Sequence, residues 1–547
     1  MIVPASDATI GNTFLQCAEA FGHNAFLAVP SNSARSYHPG GHELSYAAAA
    51  RQVRALIQHY ASAGYGLGQR IALLLDNRPE HLLHKLAMNA LGICCVPLSS
   101  DHRPREMAFV LQHAKVDLVV VADELLALLR AAVEASAHAP QVVRFEGFER
   151  ELPAARQAAT TATPTADTPA SVLYTSGTTG RPKGCVLTHR YELEAGRWYA
   201  SAGGLATFGD GGDRLYNPLP LFHVNASIFS FYCVMLRGNC QVQTDRFSPT
   251  RWWTEVHDSR ATVVHYLGVV VPMLLAQPPS PLDRGHCVRF AIGAGVDPQR
   301  HAEFEQRFGF PLLEIWGMTE MVRATFANQR PRQVGTRVFG RAVPGLEVRV
   351  VDDLDRDLPD GTPGEMLVRH SAQTPRKDFF SGYLDDPVAT ELAWRGGWFH
   401  TGDIVTRAPD GLLRFVDRRK NIIRRSGENI AAAEVEAVLQ AHPWVEQAAV
   451  LAVPDELREE EVLACVVLNA AGRAEPDAAV QALFAHCHAE LAYYKAPGWM
   501  WITDHIPTTA TQKVQKHQIF DPGTDPRRLP GMTDLRARKK RNPKETP

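Results

Sequence analysis

The chain has 547 residues, 45% hydrophobic and 21% charged, so it can bury a large core without a disulfide or metal staple. Its 57 basic and 59 acidic side chains leave a net charge of −2, which excludes a global pull toward nucleic acid or anionic membrane. The 40 glycines and 37 prolines exclude a collagen-like or wholly disordered chain, and nine cysteines without a Cys-x-x-Cys exclude zinc-ribbon and thioredoxin readings.

Residues 1–7 lack a basic segment followed by an apolar one, so no signal peptide is expected. Short apolar runs then alternate with helical stretches. Strands are predicted over 71–75, 94–98 and 116–121, with helices over 79–91 and 103–113. The pattern returns as strands over 261–267, 288–292 and 312–315 with helices over 272–277 and 298–308. Two such stretches imply two layered, mostly parallel sheets. The longest apolar run, 261–276, is broken by His265, Gly268 and Pro272 and is too short to span a bilayer, so no membrane span is expected and a reducing cytoplasm is the simplest home. Beyond about 330 the texture turns β-rich: strands over 346–351 and 365–369, and a hairpin over 404–416 turning at Asp410-Gly411. A smaller α+β unit follows, with strands over 422–430, 448–453, 462–468 and 499–502 and helices over 432–441 and 478–491. The expected organisation is α/β: a large domain over 1–417 with its β-rich part at 331–417, a small domain over 418–530, and a disordered basic tail over 531–547.

The first run that carries chemistry is Thr175-Ser176-Gly177-Thr178-Thr179-Gly180, followed by Lys183, with a strand before it and a helix expected after it. Backbone N–H groups, hydroxyls and an ammonium suit a polyphosphate. The Walker pattern does not match.

With its companions, this run resembles the adenylate-forming superfamily of acyl-CoA synthetases, aryl-CoA ligases, luciferases and peptide-synthetase adenylation domains. The companions are Leu219-Pro220-Leu221-Phe222-His223-Val224-Asn225, Gly293-Ala294-Gly295, Glu314-Ile315-Trp316-Gly317-Met318-Thr319-Glu320, Thr401-Gly402-Asp403, Asp417-Arg418-Arg419-Lys420, Ser426-Gly427-Glu428-Asn429, and the block from Pro507 to Lys516. The stretch from Phe415 to Glu436 most resembles the branch of crotonobetaine/carnitine-CoA ligases.

The resemblance implies ATP, Mg²⁺ and coenzyme A as co-substrates and cofactor, a small-molecule carboxylic acid as substrate, and a mobile C-terminal domain. It places Thr175 to Gly180 and Lys183 on phosphates, and Gly293, Ala294, Gly295, Glu314, Ile315, Trp316 and Gly317 around the nucleotide. Thr319 would bind phosphate or the substrate carboxylate, Glu320 would offer Mg²⁺ a hard oxygen, and Asp403 and Arg418 would meet the ribose and α-phosphate. Lys420 falls at the hinge, with Gly427, Glu428 and Asn429 on the coenzyme A side. Lys513 is the expected catalytic lysine, with Gln512 in place of the usual glycine and Lys516 as the runner-up. Trp316, read alone, is either a stacking platform or core.

Amino-acid-activating relatives carry an aspartate where this chain has His223, so an amino acid is not the expected substrate. His223 is read either as orienting an aromatic or short acyl group or as a hydrogen-bonded core histidine. Betaine, short-chain, medium-chain and aryl acids all remain open. So do three other readings: loading of a separate carrier protein, luciferase-like oxygenation, and a non-catalytic nucleotide-binding relative. The stretch after Lys513 is too short for a fused carrier.

Overall fold

The structure, a computed structural model, describes residues 1–175, 182–425, 428–456, 458–509, 514–521 and 523–539. The chain divides into two units: Met1–Val348 with Val368–Phe399, and Arg349–Leu367 with His400–Pro547. The boundary expected at 417 therefore falls inside the second unit, because Phe399–Arg407 and Leu413–Arg418 form one antiparallel hairpin.

In the first unit, the β-α alternation builds two sheets. One has seven strands in the order Gly382–Tyr383, Lys183–Thr188, Pro169–Thr175, Cys94–Pro97, Arg70–Leu74, Leu118–Val121 and Gln141–Arg144. Its runs from Cys94 onward pair in parallel, and Leu118–Val121 is buried throughout, as expected of strands covered on both faces. The other sheet has eight strands, in the order Thr325–Phe326, Leu312–Trp316, Phe290–Ala294, Val263–Leu267, Arg214–Asn217, Cys240–Gln243, Ala25–Val29 and His42–Ser45. Helices Pro79–Ala90, Pro104–His113 and Pro298–Phe308 each open on a proline, whose missing N–H costs nothing in a first turn. Trp252, Trp253, Phe304, Phe308 and Phe310 form the aromatic core against the 263–316 strands.

In the second unit, the run expected as one strand over 422–430 is a hairpin, with Ile422–Arg425 pairing antiparallel to Glu428–Ala431. The turn-prone pair Ser426-Gly427, outside the described residues, falls between the two strands in sequence. Val445–Asp455 and Glu459–Leu468 form a long antiparallel ribbon, covered by helix Ala432–Ala441.

The basic tail is not disordered through Lys539. Met532–Asp534 adds an antiparallel strand to Trp499–Ile502, with Met500 opposite Thr533. Lys539 is buried, and its Nζ donates to Glu461 Oε1 at 2.5 Å and to the Tyr494 carbonyl at 2.9 Å. Arg425 Nε donates to the other oxygen of Glu461 at 2.8 Å. Tail composition carries no sign of this, because both acceptors of Lys539 lie far upstream in the chain. Among the described residues no helix is long and apolar enough to cross a membrane.

Candidate active site

Strands Val263–Leu267, Phe290–Ala294 and Leu312–Trp316 run parallel, with Tyr266 opposite Gly293 and Gly293 opposite Glu314. Their carboxyl ends therefore emerge together, the place where open α/β sheets bind ligands. Ala294, Gly295 and Gly317 are exposed at this crest, Ile315 is half-buried and Trp316 is buried. The Trp316 ring lies 5.9 Å from Phe339, tilted by 33°. Gly293 is dictated by close approach: a Cβ there would sit 2.3 Å from the Tyr266 carbonyl oxygen.

Glu314 does not face outward. Its carboxylate accepts from Gly295 N–H at 3.0 Å, Val296 N–H at 2.9 Å and the Tyr266 hydroxyl at 3.3 Å. Burial pushes its pKa above the ordinary value, against the pull of those donors. The side chain thus builds the 293–296 turn from within.

The strands flanking the run expected to bind phosphate are antiparallel partners. Pro169–Thr175 and Lys183–Thr188 pair antiparallel, with Thr175 opposite Lys183. Ser176, Gly177, Thr178, Thr179 and Gly180 lie outside the described residues. The helix expected directly after the loop comes one strand later, as His189–Ala200, capped by Thr188 accepting from Tyr191 N–H. The intervening strand alternates only from buried Cys185 through half-buried Val186 to buried Leu187 and half-buried Thr188, a period-two pattern too short to stand out beside the glycines. Lys183 is the first residue of the returning strand.

Thr319 is half-buried and Glu320 buried, on a turn beyond Leu312–Trp316. Three groups clamp it. The Tyr191 hydroxyl is shared between the carbonyls of Thr319 at 2.8 Å and Met321 at 2.9 Å. Phe380 N–H donates to the Glu320 carbonyl at 2.9 Å. The Tyr383 hydroxyl donates to Glu320 Oε1 at 3.0 Å, while Lys183 Nζ lies 4.7 Å from the Tyr383 ring centroid. Neither tyrosine is flagged by the sequence, since each acts across a long chain separation. Among the described residues no three His, Cys, Asp or Glu side chains gather as a metal cage. Glu320 could supply one hard oxygen to a cation bound mainly by its ligand.

His223 is exposed, which removes the core-histidine reading. Its carbonyl accepts from Ser227 N–H at 3.2 Å and Ser227 Oγ at 2.9 Å. Next comes a π-helical turn, Asn225–Phe229, a form frequent at functional sites. Asn225 Oδ1 accepts from His265 Nδ1 at 2.6 Å, and His265 Nε2 meets the Tyr199 hydroxyl at 3.0 Å. Burial pulls the His265 pKa down to about 3, so the ring is neutral, with one nitrogen donating and one accepting. A lone histidine inside a buried apolar strand was the signal that could have marked it.

In the second unit, Asp403 faces Arg418 in register across the hairpin, and Arg418 Nε lies 2.8 Å from Asp403 Oδ1. Next to it, buried Asp417 accepts from Arg418 N–H at 2.7 Å, Asn421 Nδ2 at 3.1 Å and Ala433 N–H at 2.8 Å. Lys420 lies in the 3-10 turn Arg419–Asn421. Glu428 and Asn429 stand on the returning strand opposite Arg425 and Arg424. Gly427 and Lys513 lie outside the described residues. Lys516 pairs with Glu436 at 2.8 Å.

Residues 23–384 match the family profile described as AMP-binding enzyme, and residues 434–513 match the AMP-binding enzyme C-terminal domain. A crotonobetaine/carnitine-CoA ligase of Salmonella heidelberg (strain SL476) is 31% identical over 494 residues, covering 87% of this chain and 93% of the relative. A benzoate CoA ligase from Burkholderia xenovorans LB400 has the same fold, with a TM-score of 0.79 at 21% identity over 93% of this chain and 99% of that one. The anthranilate CoA ligase AuaEII, solved in complex with anthranoyl-AMP, also gives a TM-score of 0.79, at 20% identity over 94% and 96% of the two chains.

Proposed function

The chain belongs to the AMP-binding enzyme family and is an AMP-forming acyl-CoA ligase, and we propose how its residues divide two half-reactions. In the first, a carboxylate oxygen of the acid attacks the α-phosphorus of ATP. The bond to the bridging oxygen breaks, and pyrophosphate leaves an acyl-adenylate. Negative charge builds on the phosphoryl oxygens, so positioned cations and N–H groups carry most of the catalysis.

The loop from Thr175 to Gly180, with Lys183, holds the phosphates, and Lys513 neutralises the reacting oxygens. Thr319 orients phosphate or carboxylate. Trp316 stacks on the adenine, framed by the 293–295 turn that Glu314 shapes. In the second unit, Asp403 accepts from the ribose hydroxyls and Arg418 serves the α-phosphate. Glu320 fits Mg²⁺: it is a buried carboxylate held by a tyrosine whose ring also receives Lys183, and Mg²⁺ is usually held by one or two carboxylates plus substrate phosphates. Bound there, the ion would neutralise charge on those phosphates.

In the second half-reaction, the coenzyme A sulfur attacks the acyl carbonyl carbon, and AMP leaves. Lys420 absorbs the backbone change that turns the C-terminal domain, and Gly427, Glu428 and Asn429 line the thiol's approach. The observation that supports this reading is the convergence of Lys183 and Glu320 on one tyrosine, an ammonium and a carboxylate brought together as a metal-bound nucleotide would need.

Among acids, the relatives named for crotonobetaine and carnitine make betaines the first class to try, ahead of short-chain, medium-chain and aryl acids. All nine cysteines are unpaired and only Cys287 is exposed, which suits a reducing compartment such as the cytoplasm. The test is pyrophosphate release and thioester formation over a panel of these acids, with ATP and Mg²⁺, with and without coenzyme A. One class should give a coenzyme A-stimulated thioester. Release that ignores coenzyme A would favour a carrier-protein acceptor, and no release from any acid would overturn the assignment. Lys513→Ala should abolish adenylation while leaving thioester formation from supplied acyl-adenylate.

A further inference from the structure

Tyr383 stands on the two-residue strand Gly382–Tyr383, which pairs antiparallel with Lys183–Thr188 so that Tyr383 lies opposite Cys185. Strand side chains alternate between faces, so Lys183 and Cys185 share a face, and Thr175, opposite Lys183, joins them. Tyr383 therefore projects onto the face that carries the lysine closing the phosphate loop. Its hydroxyl crosses 3.0 Å to Glu320 Oε1, and its ring receives Lys183 Nζ at 4.7 Å from the centroid. A cation over a ring face is held by the ring quadrupole without being neutralised.

We propose that Tyr383 is a positioning residue that sets the carboxylate of Glu320 and the ammonium of Lys183 with one side chain, for joint recognition of a metal-nucleotide complex. The proposal rests on the reading of Glu320 as the metal carboxylate. The hydroxyl fixes the orientation of the carboxylate. The ring holds the ammonium over its face. Outer partners of metal-binding carboxylates act in this way, and their loss weakens metal affinity about 10- to 100-fold.

The test is calorimetric ATP binding to the full chain in Mn²⁺ and in EDTA, for wild type, Tyr383→Phe, Tyr383→Leu and Glu320→Gln. Tyr383→Phe keeps the ring and the volume, so it should fold, with a melting temperature lowered by no more than the loss of one hydrogen bond. It should weaken ATP binding at least about tenfold in Mn²⁺ and leave binding in EDTA unchanged. Tyr383→Leu, which also removes the ring under Lys183, should weaken binding in both. Wild-type Mn²⁺ dependence in Tyr383→Phe, beside a weakened Glu320→Gln, would overturn the proposal alone. Wild-type Mn²⁺ dependence in Glu320→Gln would remove the reading of Glu320, and the proposal with it.

Discussion

Arg418 Nε lies 2.8 Å from Asp403 Oδ1, and the two residues are direct neighbours across the antiparallel hairpin. Asp403 is fully buried while Arg418 keeps part of its surface exposed, so the pair joins a buried carboxylate to a partly exposed cation. Asp403→Asn keeps the shape and removes the charge-assisted bonds. Such bonds contribute about 1.5–3 kcal/mol each, so the KM for ATP should rise about 10- to 100-fold while the KM for the acid stays put. Equal rises in both would assign Asp403 to folding rather than to the nucleotide.

Glu314 holds Gly295 N–H and Val296 N–H inside the crest turn. Glu314→Ala leaves both without an acceptor, at a cost of about 1–3 kcal/mol for each. Glu314→Gln keeps one acceptor oxygen and should lose less. Urea unfolding measures the difference, and equal stability in the two variants would contradict the role given to the carboxylate.

Much of the framework around the candidate site was legible in the sequence. Gly293 and Trp316 lie at the strand ends where the short apolar runs predicted them, because burial and period dictate those strands locally. The Asp410-Gly411 hairpin was equally local, and Gly411 takes a positive φ. Contacts made at long range were not legible. Tyr383 reaches Glu320 across 63 residues and Tyr191 reaches Thr319 across 128, and a tyrosine announces neither partner in advance. The tail failed for the same reason, since the Glu461 that receives Lys539 lies 78 residues upstream.

That buried cluster makes its own prediction. Burial pulls Lys539 down to about 8, so its charge is held at a cost. Lys539→Met leaves Glu461 to Arg425 and should change stability by less than about 1 kcal/mol. Glu461→Ala strands two buried cations and should cost about 3–5 kcal/mol. Chemical unfolding followed through Trp499 and Trp501 fluorescence reads both, and the reverse ranking would contradict the account of the tail.

Stability should also depend on pH through the buried histidines. Burial pulls His81, His84 and His265 down to about 3 and His189 to about 4. Between those values and the unfolded value of 6.5, the unfolded chain binds protons that the folded chain does not. Stability therefore falls as pH drops below about 6.5. The melting temperature should decline from pH 7 to pH 5 with net proton uptake on unfolding, and a flat profile would contradict the neutral buried rings.

The central claim is that the acid becomes an acyl-adenylate before it becomes a thioester. Oxygen-18 in the substrate carboxylate tests this directly, because attack on the α-phosphorus carries one labelled oxygen into AMP when the thiol displaces it. The account predicts AMP carrying one label and pyrophosphate carrying none. Unlabelled AMP, or ADP with labelled phosphate, would contradict it.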